Sequence, residues 1–147
     1  MCDSSSRRRD SRGYVVEAEN YRIEVGPTGL AECRVWKRPD LAVDEGARLA
    51  KAMCDHLESL MRSHRAKALL LDLAEAPPAF GPKTEASMTG ALTAAERLKK
   101  PVALVLGDKS IQRLQLERVV RLGAPTCGRL FSQRAAAEAW IAAAMKG

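Results

Sequence analysis

Residues 66–73 read Ala-Lys-Ala-Leu-Leu-Leu-Asp-Leu, and residues 101–108 read Pro-Val-Ala-Leu-Val-Leu-Gly-Asp. Each holds a short apolar run, at 68–73 and 102–106, closed by polar or Gly/Pro punctuation and followed by a longer amphipathic stretch. Runs of this length without polar alternation predict strands covered on both faces. Strands that alternate with helical patterns predict βαβ units and a parallel sheet.

Working outward, Tyr21, Ile23 and Val25 alternate with Arg22 and Glu24, which predicts a half-buried strand. Gly26-Pro27-Thr28-Gly29 supplies turn chemistry, and Ala31, Cys33 and Val35 then alternate with Glu32 and Arg34. Together they predict an antiparallel hairpin with a four-residue loop, ended by Pro39. A helix follows over about 43–63, capped by Asp44 or a neighbour, with Leu49, Met53, Leu57 and Leu60 on one face. His56 and His64 lie off that stripe and are expected at the surface. After the strand at 68–73 comes a proline-rich elbow, and Pro82 suits the first turn of a helix running to about 98. Its small stripe holds Ser87, Ala91, Ala94, Ala95 and Leu98, before Lys99-Lys100-Pro101 stops it. Ser110 or Asp108 is expected to cap a helix to about 122, which Gly123 and Pro125 end. A strand at 127–131 and a helix to about 145, capped by Ser132, complete the order ββαβαβαβα. The reading is an α/β fold: a five-stranded, mostly parallel sheet with an N-terminal hairpin and four helices mainly on one face.

The 147 residues suffice for one domain, placed at 20–147, with a Ser/Arg-rich tail at 1–19. Residues 1–13 are polar and without periodicity, so the tail is expected to be disordered. Cys2, Cys33, Cys54 and Cys127 show no C-x-x-C spacing and read as independent thiols, with neither a disulfide framework nor a metal site. No 18-residue apolar span and no apolar leader core occurs, so a transmembrane segment is not expected and the cytoplasm is the expected compartment. The net charge is +6. Arg7, Arg8, Arg9 and Arg12 are balanced by Asp3, Asp10, Glu17 and Glu19, so the surplus belongs to the folded part. It is scattered along the sequence, and nucleic acid is not expected as a partner.

The element order resembles the STAS-like domains, also called SpoIIAA-like, over roughly 21–141. The ending Arg129-Leu130-Phe131-Ser132, followed by Ala139-Trp140-Ile141, is similar to that family's last strand and helix. The resemblance implies a regulatory module that binds protein partners, or in some cases small ligands, without catalysis. Phosphorylated members of the family carry a Ser or Thr acceptor in a D-S-x-G elbow after the third strand. Here Asp72 matches the strand-end aspartate, but residues 75–81 (Glu-Ala-Pro-Pro-Ala-Phe-Gly) replace the elbow. Thr84 and Ser87 are the nearest hydroxyls, and the phosphorylation-switched antagonist role rests on them alone.

No G-x-S-x-G, P-loop, H-E-x-x-H or G-x-G-x-x-G motif occurs, so the chain reads as a non-enzyme without a cofactor. A ligand or partner surface is expected at the carboxyl ends of the strands, carrying Asp72, Glu75, Phe80, Thr84, Ser87, Gly107, Asp108, Lys109 and Ser110. The expected partner is a regulatory protein or a second copy, with a small anionic or apolar ligand as the alternative. The two-faced apolar strands motivate the second copy: helices on one face would leave the other needing a cover, from residues 14–18, another subunit or a lipid.

Overall fold

The computed structural model describes residues 6–10 and 13–146, with side chains from Tyr14 onward. Four helices pack on one mixed sheet. Strands β1 (Ser6–Asp10), β2 (Gly13–Glu17), β3 (Tyr21–Val25) and β4 (Leu30–Trp36) form an antiparallel meander. From β4 the chain crosses through α1 (Val43–Arg62) to β5 (Ala68–Glu75), through α2 (Pro82–Arg97) to β6 (Val102–Leu106), and through α3 (Ser110–Gly123) to β7 (Gly128–Phe131). These crossovers are parallel, and α4 (Arg134–Lys146) closes the chain. Spatial order follows chain order, so β4 is the pivot between the antiparallel and parallel halves.

The predicted hairpin is present as drawn. Residues 26–29 form its loop, Gly26 N–H donates to Leu30 O, and Gly29 takes φ +94°, a conformation that needs glycine. The five-strand reading is corrected. Six strands run from Gly13 to Phe131, and Ser6–Asp10 adds a seventh at the edge. The tail read as disordered over 1–19 therefore supplies two strands, while residues 1–5, 11 and 12 lie outside the described residues. The cause is tertiary: Tyr14 and Val16 face the same side as Ile23 and are 8% and 0% exposed, so burial orders a segment whose composition alone does not.

Alternation on the strands sorts the core into two layers. Ile23, Cys33, Leu69, Leu71, Val102 and Leu104 face α1, α2 and α3 in the larger cluster. Ala68, Leu70, Ala103 and Val105 face the other way, under Ala137, Trp140 and Ile141 of α4. Three helices thus share one face and one covers half of the other. This removes the bare apolar face that motivated a second copy or a lipid, and residues 13–17 join the sheet in its plane and do not lie across it.

Helix starts differ in detail from expectation. Ala42, Gly81 and Lys109 occupy the N-cap positions of α1, α2 and α3 without a side-chain cap bond, so Asp44, Asp108 and Ser110 do not cap. Asp44 and Glu45 instead sit in the first turn of α1, where carboxylates meet the positive end of the helix dipole. On α2 the buried stripe is Met88, Ala91, Leu92, Ala94 and Ala95, leaving Leu98 exposed. His56 is half-buried and shares a 2.6 Å hydrogen bond with the Tyr14 hydroxyl, contrary to the exposed placement expected for it.

Candidate functional site

Beyond the footprint of α4, the second face of the sheet is open and charged. Outward positions of β3, β4 and β5 carry Arg22, Glu24, Glu32, Arg34, Trp36 and Asp72. The register sets Arg22 directly opposite Arg34 and Glu24 directly opposite Glu32. Like charges facing across strands oppose pairing, so each side chain needs relief from elsewhere.

Most of them find it. Arg22 donates to Glu17 at 2.8 Å and lies 3.6 Å from Glu24. Arg134, from the first turn of α4, reaches over the sheet to Asp72 at 2.8 Å, to Glu32 and to Glu138. Partial burial works against the Arg134 charge, but its three carboxylate partners outweigh that and push its pKa up. The second oxygen of Asp72 accepts the Ala74 N–H at 3.1 Å. Arg34 is the exception. Its Cα partners are Arg22 and Asp72, and Asp72 is already spent on Arg134. Among the described residues Arg34 makes no ion pair or side-chain hydrogen bond, and neither does Lys37 just past the end of β4.

Both line a shallow hollow of about 600 Å³ over the ends of β4 and β5, walled by Arg22, Arg34, Trp36, Lys37, Ala74, Glu75 and Lys109. Four cations face one carboxylate. A second hollow of about 380 Å³ adjoins it through Arg22 and Arg34 and carries Glu24, Glu32, Asp72 and Arg134.

The floor of the larger hollow is fixed from beneath. Gln112, fully buried on α3, accepts the Gly107 N–H at 3.0 Å and donates to Leu73 O and Pro77 O. Lys109 Nζ donates to Ala74 O and Ala76 O at 3.1 and 2.9 Å, which holds its charge at the wall. Gly107 has no room for a side chain, since a Cβ there meets Ala74 O at 2.7 Å.

Three expected site residues line these hollows: Glu75 and Lys109 the larger, Asp72 the smaller. Gly107 supports the floor. Asp108 and Ser110 are exposed at the turn and line neither hollow. Phe80, Thr84 and Ser87 lie elsewhere. The Phe80 backbone is tied to the Gln115 side-chain amide, its N–H donating to Oε1 and its carbonyl accepting from Nε2, and Thr84 and Ser87 are half-buried on α2. There Glu85 pairs with Arg118, whose hydrogen bond pulls the Glu85 carboxyl below its ordinary range. The expected strand-end surface is thus split between the open sheet face and the α2–α3 seam.

Sequence reasoning passed over Arg22, Arg34, Trp36, Lys37 and Arg134. The signal for the first two was available: both are outward positions of a hairpin whose loop length fixes which residues oppose. Arg134 had no such signal, because its role depends on α4 crossing to the second face. Among the described residues, no group of His, Cys, Asp and Glu side chains converges to hold a metal, and no helix is long and apolar enough to cross a membrane. Comparisons with family models, curated proteins and solved structures return no match to this chain.

Proposed function

We propose that this chain is a non-catalytic, regulatory binding module, STAS-like in kind, that docks an acidic protein partner at the cationic hollow on the open half of its sheet. One observation carries the reading: among the described residues Arg34 and Lys37 stand unpaired beside Trp36, on a face where the other strand arginine is matched to carboxylates. An arginine fixed by strand register and lacking an internal acid is pre-organised to pair with an external one. Trp36, half-exposed between the two cations, adds the apolar contact from which interface anchors are built. The open, polar lining suits a group presented by a larger body better than an enclosed small molecule. Cys33, Cys54 and Cys127 carry free thiols, which fits a reducing compartment such as the cytoplasm.

The test is fluorescence anisotropy with labelled peptides bearing Glu runs or single phosphorylated residues. Some members bind, more weakly at high salt, and pairing Arg34→Glu with Lys37→Glu abolishes the binding. Arg48→Glu, on the far face of α1, leaves it unchanged. If no peptide binds, or if the double variant binds as the parent does, the reading is wrong.

A further inference from the structure

Resting on that reading, we infer that the hollow recognises a phosphorylated side chain of the partner, so that docking is switched on by the partner's phosphorylation. The charges around the hollow select for a compact dianion. Within it, Arg22, Arg34, Lys37 and Lys109 face Glu75 alone. Immediately beside it, Glu24, Glu32 and Asp72 line the continuation of the same face, and the cations there, Arg22 and Arg134, are already paired with them. An extended run of carboxylates laid along the open strands finds those cations already engaged by internal acids and gains little beyond the first hollow. A single phosphoryl group concentrates a charge of about −2 and three acceptor oxygens at one point, and it needs only that hollow.

Donor geometry agrees. Arg34 offers a guanidinium fork with both edges free of partners among the described residues, the arrangement that binds phosphate oxygens in pairs. Lys37 adds a mobile ammonium at the end of β4. Lys109 is held at the opposite wall by Ala74 O and Ala76 O, which leaves one of its three ammonium hydrogens for the ligand. The Glu75 carboxylate makes no ion pair or hydrogen bond among the described residues and stands ready to accept an N–H from the partner's backbone. Trp36 presents its ring to whatever flanks the phosphorylated residue.

The experiment uses the full chain and degenerate peptide mixtures with Ala, Gly and Ser flanks. The central residue is phosphoserine, phosphothreonine or phosphotyrosine, set against matched mixtures with Glu or Ser at that position and against phenyl phosphate alone. At least one phosphorylated mixture binds about tenfold or more tightly than its Glu match. Arg34→Gln and, separately, Lys37→Gln each weaken that binding at least severalfold, with thermal unfolding unchanged for the exposed Lys37 variant. Glu75→Gln does not restore binding to the Glu mixture. Equal binding of Glu and phosphorylated mixtures overturns the phosphate inference and leaves the acidic-partner reading standing. Phenyl phosphate binding as tightly as the peptides assigns the hollow to a small molecule and overturns the inference as well. Failure of every mixture to bind overturns both.

Discussion

Gln112 shows how much a single buried polar residue can organise. Its amide serves three backbone groups from two strand ends, Gly107 N–H, Leu73 O and Pro77 O, at a site without water access. The same three groups lie under the walls that place Glu75 and Lys109. Gln112→Leu keeps the volume and takes this partner from Gly107 N–H and Pro77 O, while Leu73 O retains the Ala76 N–H at 3.2 Å; an unsatisfied buried polar group costs about 1–3 kcal/mol. Urea unfolding is expected to show a loss of about 3 kcal/mol. A loss below about 0.5 kcal/mol would mean that these groups find other partners and that the floor is not held from α3. The residue is also a lesson in legibility. In sequence, Gln112 is one polar position in a polar helix turn, and nothing in its neighbourhood announces full burial. Arg34 reads equally plainly, as one outward charge in an alternating strand. What distinguishes it is that Asp72, its neighbour across β4 and β5, is occupied by a residue 62 positions away.

The elements divide by the kind of information that makes them. From β5 onward each strand and helix was legible, because Gly/Pro punctuation separates apolar runs from helical periods, and the structure moves their ends by only a residue or two. The meander before β3 was not legible. Ser-Arg-Arg-Arg-Asp has no strand pattern, and it pairs through its backbone along an edge that β2 creates; β2 in turn exists because α1 offers Tyr14 and Val16 a surface. At the other end of α1, Lys100 takes over what helix capping does elsewhere. Its Nζ donates to Met61 O, Ser63 O and Ala66 O at 2.6, 2.8 and 2.7 Å, tying the carbonyls at the helix end and the loop after it to the start of β6. Lys100→Met removes the donor and keeps the stem, and a loss of about 2 kcal/mol is expected in urea unfolding. Its neighbour predicts the reverse. Lys99 holds φ +58°, a left-handed conformation that costs a side-chain-bearing residue about 1 kcal/mol. Lys99→Gly is therefore expected to be neutral or slightly stabilising. If both variants lose stability equally, the segment acts through its general charge and not through the Lys100 contacts.

At the scale of the whole molecule, the sheet separates two environments: a dry layer under α1, α2 and α3, and a face that is apolar under α4 and charged beyond it. Arg22 and Cys33 are on neighbouring strands yet face opposite layers, which is why cations can crowd one side while thiols stay protonated on the other. Burial raises the Cys54 thiol and the Tyr21 phenol each to about 12, and raises Cys33 well above its ordinary 9.0. In the unfolded chain the thiols ionise near 9 and the phenol near 10. The folded state therefore holds protons that the unfolded state releases, so stability is unaffected by these groups below pH 9 and falls as pH rises above it. Cys54 alone accounts for about 2 kcal/mol of that fall by pH 10.5, at about 1.4 kcal/mol per pH unit above 9. Cys54→Ala lowers stability at neutral pH by opening space in the core, yet it should flatten the slope between pH 9 and 10.5. Urea midpoints measured across that range in parent and variant separate the two effects. Parallel slopes would show that the thiol already reaches water in the folded state, and that the sheet does not seal the helix-covered layer from solvent.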